Sequence, residues 1–145
     1  MADTSSTASE PSLHPIQLLI THPIPHQPAI HIHLTPSPRS VLLFLASGSA
    51  AEATATLGPL GSFVYALPSR TNPKEVLSTP LYAVEATLEF TTRVAKVLAT
   101  KLKVPVYVGS SIGGTLGGEV GEEVQVLKRV VEVVVGQAGV GRADG

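Results

Sequence analysis

Residues 29 to 46, AIHIHLTPSPRSVLLFLA, join two unlike strands through a turn, and that contrast limits what the chain can fold into. In AIHIHL the period is two. Ile30, Ile32 and Leu34 fall on one face and His31 and His33 on the other, as in a strand with one face in a core. TPSPRS, with two prolines and two serines, has the composition of a turn. VLLFLA then returns without alternation, the pattern of a strand covered on both faces. The segment predicts a hairpin of one half-buried and one fully covered strand.

The same reasoning extends along the chain. IQLLI (16 to 20) reads as a short strand, and THPIPHQP, rich in proline, as a loop. SFVYAL (62 to 67) and VLSTPLYAV (76 to 84) are two more strands around the turn PSRTNPKE, with Pro80 moving the second towards a sheet edge. From Glu85 the period changes to that of a helix: Leu88, Val94, Ala95, Leu98 and Leu102 recur on one stripe, with Glu85 and Glu89 at its start and Lys101 and Lys103 at its end. VPVYV (104 to 108) is a strand, followed by a glycine loop. Val120, Val124, Leu127, Val131 and Val134 then mark a second helical stripe behind Glu119, Glu122 and Glu123, although VVEVVV also fits a strand.

These elements predict an α+β fold: a five- or six-stranded, mainly antiparallel sheet with two helices packed on one face, the other face being used for dimerisation. A chain of 145 residues with 43% apolar and 14% charged residues suits a single domain. The expected boundaries are a disordered tail at 1–14, one domain at 15–136 and a flexible tail at 137–145, because the ends are rich in small, polar and glycine residues. The formal net charge is −1, with ten basic and eleven acidic residues dispersed, so neither nucleic acid nor an anionic membrane is an expected partner. There is no run of eighteen apolar residues and no basic-then-apolar leader. The expected location is the cytoplasm, with the nucleus open as a second one. Absence of cysteine excludes disulfides, thiolate zinc sites and cysteine catalysis.

Three motifs invite a chemical reading. All five histidines (His14, His22, His26, His31 and His33) lie in the first third of the chain, and His31 and His33 share a strand face at the i,i+2 spacing that can hold a metal. A site needs a third ligand, and an imidazole equally suits a partly covered sheet face. Gly109, Ser111 and Gly113 match G-x-S-x-G directly after a strand, the setting of a nucleophile elbow, but no histidine follows Ser111. GSSIGGTLGGEVGEE resembles a phosphate loop, yet it lacks both the G-x-G-x-x-G spacing and a G-K-[ST], and its glutamates would repel phosphate. No catalytic residue, metal site or cofactor is therefore expected. The glycine loop reads as a surface connection able to make contacts.

The order of these motifs resembles the proteasome assembly chaperone 4 family, in a fungal-type form. An alternating aliphatic and histidine strand, Ile30 to Leu34, pairs with an apolar strand ending in a small residue and glycine, Leu42 to Gly48. A Ser-Thr-x-Leu stretch, Ser78 to Leu81, precedes the helix RVAKVLATKLK, which runs into the strand Val106 to Ile112. The resemblance spans about residues 16 to 135 and departs at 47–61 and 113–121. It implies a non-enzymatic chaperone that pairs with a chaperone 3 type subunit and binds an alpha-type subunit during assembly of the 20S proteasome alpha ring. Alternatives are a small dimerising adaptor or scaffold subunit of another complex, and a small serine hydrolase using Ser111.

One physical point accords with the chaperone reading. Two helices cover one face of such a sheet, yet VLLFLA, FVYAL and VPVYV place apolar side chains on both, so a second subunit is the expected cover. If the histidine face is that interface, His31, His33, Phe44, Tyr65 and Tyr107 contribute to it. The proteasome subunit is expected to meet exposed loops, at Arg70 and Lys74 and at Gly113 and Gly114.

Overall fold

The computed structural model describes residues 15–23, 28–48, 61–72, 74–112 and 120–140. Six strands and two helices follow in the order β1 (Ile16–Ile20), β2 (Ala29–Pro36), β3 (Val41–Gly48), β4 (Ser62–Pro68), β5 (Val76–Tyr82), α1 (Glu85–Leu102), β6 (Val106–Ser110) and α2 (Val120–Val140). The strands form one sheet in the order β1-β2-β3-β6-β4-β5. Every pairing is antiparallel except β3 with β6. The expected α+β architecture is the observed one: a mainly antiparallel six-stranded sheet with both helices on one face.

β2 and β3 form the hairpin foreseen from TPSPRS, with Ile32 opposite Leu45 and His33 opposite Phe44. What the sequence did not reveal is that β6 enters between β3 and β4. The last strand in the chain is thus a central one, flanked on both sides. Pro80 lies in β5, the edge strand, as expected for a residue with no N–H to give to a ladder.

The core lies between sheet and helices. Ile30, Ile32 and Leu34 of β2, Val41, Leu43 and Leu45 of β3, Val64 of β4, and Val106 and Val108 of β6 point into it and are all but inaccessible. From α1 come Phe90, Val94, Ala95, Leu98 and Ala99. The stripe read from the sequence at Val94, Ala95 and Leu98 holds, while Leu88 and Leu102 pack at its margin. On α2 the sequence reading holds in part: Val131 and Val134 are in the core and Leu127 packs against it, but Val126, Val130 and Ala138 also enter the core while Val124 is 47% exposed. A helix with valine on most sides carries more than one apolar stripe, so periodicity alone does not single out the buried one.

The start of α1 is fixed from outside the helix. Its N-cap Val84 is extended and offers no side-chain cap. Instead the buried Ser62 Oγ accepts the Val84 N–H at 2.9 Å and lies 3.0 Å from the Val84 carbonyl and 2.8 Å from Thr87 Oγ1. That arrangement satisfies backbone groups a helix start leaves open. It also locks α1 onto the head of β4. Gly61, just before β4, has no room for a side chain: a Cβ there would meet the Ser110 carbonyl and Thr87 Oγ1. α1 closes at Lys103, in the left-handed region at φ 58°, whose N–H donates to the Ala99 carbonyl at 2.9 Å.

Candidate functional site

Since side chains alternate along a strand, every residue whose neighbours enter the core points to the opposite face. Neither helix lies on that face, which is closed over at the β2–β3 end, where His31 and Ala46 are buried, and open around its aromatic rings. Register assigns its members. His33 opposes Phe44, Leu42 opposes Tyr107, Phe44 and Phe63 both oppose Gly109, and Tyr65 opposes Tyr107. The sheet thus carries an aromatic cluster across β3, β6 and β4, flanked by the histidines on β2.

The rings touch in sequence. Phe44 stacks with Phe63 at a centroid distance of 5.9 Å and 11° between planes, Phe63 with Tyr107 at 6.1 Å and 25°, and Tyr107 with Tyr65 at 4.7 Å and 37°. Each of the four is only half-buried, so the rings shield one another while their outer faces meet water. Towards the edges the same face continues through Leu19, opposite His31, and Leu77, opposite Leu67, which are 43% and 65% exposed. Exposed apolar side chains grouped in this way are uncommon on a free-standing subunit.

The structure brings the sequence-derived residues His31, His33, Phe44, Tyr65 and Tyr107 onto this one face. Sequence reading missed Phe63, which bridges Phe44 to Tyr107. The signal was available, because Phe63 lies two residues before Tyr65 and so shares its parity. Arg70 and Lys74 lie in the β4–β5 turn and are exposed, held on a frame in which the Lys74 N–H donates to Asn72 Oδ1 and the Ser69 N–H to the Glu75 carbonyl. Gly113 and Gly114 fall outside the described residues, as do His14 and His26.

The chemical motifs resolve differently. Among the described residues no three of His, Cys, Asp and Glu gather as metal ligands. His31 is buried at 9% exposure, in line with a covered sheet position. Gly109 of the G-x-S-x-G match is a mid-strand residue beneath the Phe44 and Phe63 rings. Ser111, the serine of that match, follows β6 with its N–H donated to the Leu45 carbonyl at 3.1 Å, extending the β3 ladder, while the neighbouring Ser110 Oγ takes the Ile112 N–H at 3.0 Å. Among the described residues no helix is long and apolar enough to cross a membrane.

Comparison with known proteins adds a family. Residues 29–112 match the family model described as proteasome assembly chaperone 4. The match begins at β2 and ends just past β6, so it contains β2 to β6 and α1. No curated protein matches the chain. Its fold is similar to that of a chain in a crystal structure of a chaperone complex for yeast 20S proteasome assembly, with a TM-score of 0.67, 16% sequence identity, and 88% of this chain and 99% of that chain covered. At that identity the likeness speaks for the fold.

Proposed function

Because the chain belongs to the proteasome assembly chaperone 4 family, we propose that it is a non-enzymatic assembly chaperone that pairs with a chaperone 3 type subunit through the aromatic face of its sheet and delivers an alpha-type subunit to the forming 20S alpha ring. The observation that carries this reading is the uncovered cluster of Phe44, Phe63, Tyr65 and Tyr107 on a sheet whose other face is already filled. Burying apolar surface is worth about 25 cal/mol per Å2, so covering the outer faces of these four half-exposed rings favours association. A related sheet with the same exposed face can cover it; sheets stack at about 10 Å with side chains interdigitating.

Aromatic rings suit that role, giving large contact area at small loss of rotamer freedom. His33 then lies at the polar margin, where an imidazole can face a partner without the desolvation cost of a fixed charge, with the buried His31 beside it on the same face. The alpha-type subunit is met elsewhere, with Arg70 and Lys74 on the β4–β5 turn as the contact and Gly113 and Gly114 as a second one.

Co-expression with a chaperone 3 type subunit, followed by capture of a free alpha-type subunit, tests the reading. The heterodimer is expected to retain the alpha-type subunit and to be absent from mature proteasomes. Reversing Arg70 and Lys74 together weakens capture by about 1–3 kcal/mol and leaves the heterodimer intact. An intact heterodimer that captures no alpha-type subunit contradicts the proposal.

A further inference from the structure

We propose that the groove between α1 and α2 docks an acidic, amphipathic peptide segment of another protein. It lies on the helix side of the sheet, away from the aromatic face, so groove and face can be occupied at once; Lys74, proposed above as a contact for the alpha-type subunit, lines the adjoining depression and not the groove.

The groove accounts for the second apolar stripe of α2. Val126, Val130, Val131, Val134 and Ala138 belong to the core, and Val131 together with Val124, Leu127 and Val135 beside it lines a depression of about 720 Å3 whose α1 wall is Val97 and Lys101. Val124 is 47% exposed, and Leu127, Val135 and Val97 are partly so. This apolar floor is wide enough for several side chains. A second, separate depression against Val76 of the edge strand adjoins it at Val97 and Lys101, which line both.

The rim of the groove is net basic. Lys101 and Lys128 border it against the single carboxylate of Glu132, and Lys74 and Lys96 line the adjoining depression with Lys101. Four of the ten basic residues of a chain with net charge −1 thus gather at these two adjoining depressions. Among the described residues both ion pairs belong to Arg93, with Glu89 and Glu123, and none of the four lysines takes part in one.

An apolar floor asks for apolar side chains, and an unneutralised lysine rim asks for carboxylates. A segment that alternates the two along one face, as in helix-in-groove recognition, supplies both. A nucleic acid would bring no apolar side chains, and a lipid surface is met by projecting side chains rather than by a recess.

The test is selection from a phage-displayed random-peptide library on the full-length chain, followed by fluorescence polarisation with the enriched peptides. The expected peptides interleave Leu, Ile or Phe with Asp and Glu, and their affinity falls as salt rises. Lys96→Glu/Lys101→Glu/Lys128→Glu and, separately, Val124→Asp weaken them by at least about tenfold, while Tyr107→Glu leaves them unchanged. All replaced positions but Tyr107 are solvent-exposed, and circular dichroism and melting confirm that each variant is folded. Enrichment of neutral or basic peptides, no enrichment, or binding indifferent to both groove variants overturns the proposal. So does self-association, or binding of phosphatidylserine vesicles, that Val124→Asp abolishes, because the occupant would then be a second copy or a membrane.

Discussion

Phe44 and Phe63 stack at 5.9 Å although a whole strand, β6, runs between the two that carry them. Adjacent strands are about 4.8 Å apart, so residues on β3 and β4 should be separated by nearly twice that distance. The rings close the gap because the residue between them is Gly109, paired to both, which puts no side chain in their way. A glycine that resembles part of a catalytic elbow in the sequence is here the floor of an aromatic stack.

Gly109→Val follows directly as a probe. A branched side chain at this site wedges the rings apart on the open face and leaves the opposite, helix-covered face untouched. The expected result is at least about a tenfold loss of affinity for a chaperone 3 type partner, with the circular dichroism spectrum retained. Titration calorimetry against the isolated partner measures it.

Tyr65 and Tyr107 are directly opposed, 4.7 Å apart at the centroids. A double-mutant cycle with Tyr65→Ala and Tyr107→Ala in urea denaturation is expected to give a coupling of about 0.5–1.5 kcal/mol within the subunit. Coupling near zero would mean that the rings are held by the sheet alone.

Phe90, 1% exposed, fills the space between α1 and the sheet. Phe90→Ala should cost about 3–5 kcal/mol by urea denaturation, a large part of the stability of a domain of this size. By contrast Arg93 pairs with Glu89 at 2.6 Å and Glu123 at 3.5 Å in a solvent-exposed setting, and Arg93→Ala should cost no more than about 1 kcal/mol. The contrast assigns the stability of the helix layer to packing rather than to its ion pairs.

The junction of β4 with α1 is expected to be as sensitive as the core despite its polarity. Gly61→Ala forces a Cβ onto the Ser110 carbonyl and Thr87 Oγ1, and should destabilise by about 1–3 kcal/mol. Ser62→Ala leaves the Val84 N–H without its acceptor at 2.9 Å and should cost about the same. Both are read from urea midpoints at unchanged slope.

Much of this fold is legible in the residues. Strict alternation placed Ile30, Ile32 and Leu34 in the core and His31 and His33 opposite, and the change of period at Glu85 marked α1. Two features escaped. The insertion of β6 between β3 and β4 is a pairing between residues far apart in sequence, and a short apolar strand such as VPVYV carries no label for its neighbours. Part of the α2 stripe escaped: periodicity placed Val131 and Val134 in it, but Val124 in place of Val126, because the two are chemically identical and only packing against the sheet distinguishes them. At the candidate site, parity brought Phe44, Tyr65 and Tyr107 to one face, and it reaches Phe63 too. The place of Gly109 under the rings needed the strand order, which no local pattern supplies.

Whether the open face is covered by a second subunit is measured most directly by light scattering of the purified chain, alone and co-expressed with a chaperone 3 type subunit. The predicted result is a stable one-to-one complex that Gly109→Val separates into folded components, together with self-association of the unmodified chain when it is alone. A monodisperse monomer at high concentration that ignores the co-expressed subunit would contradict the claim.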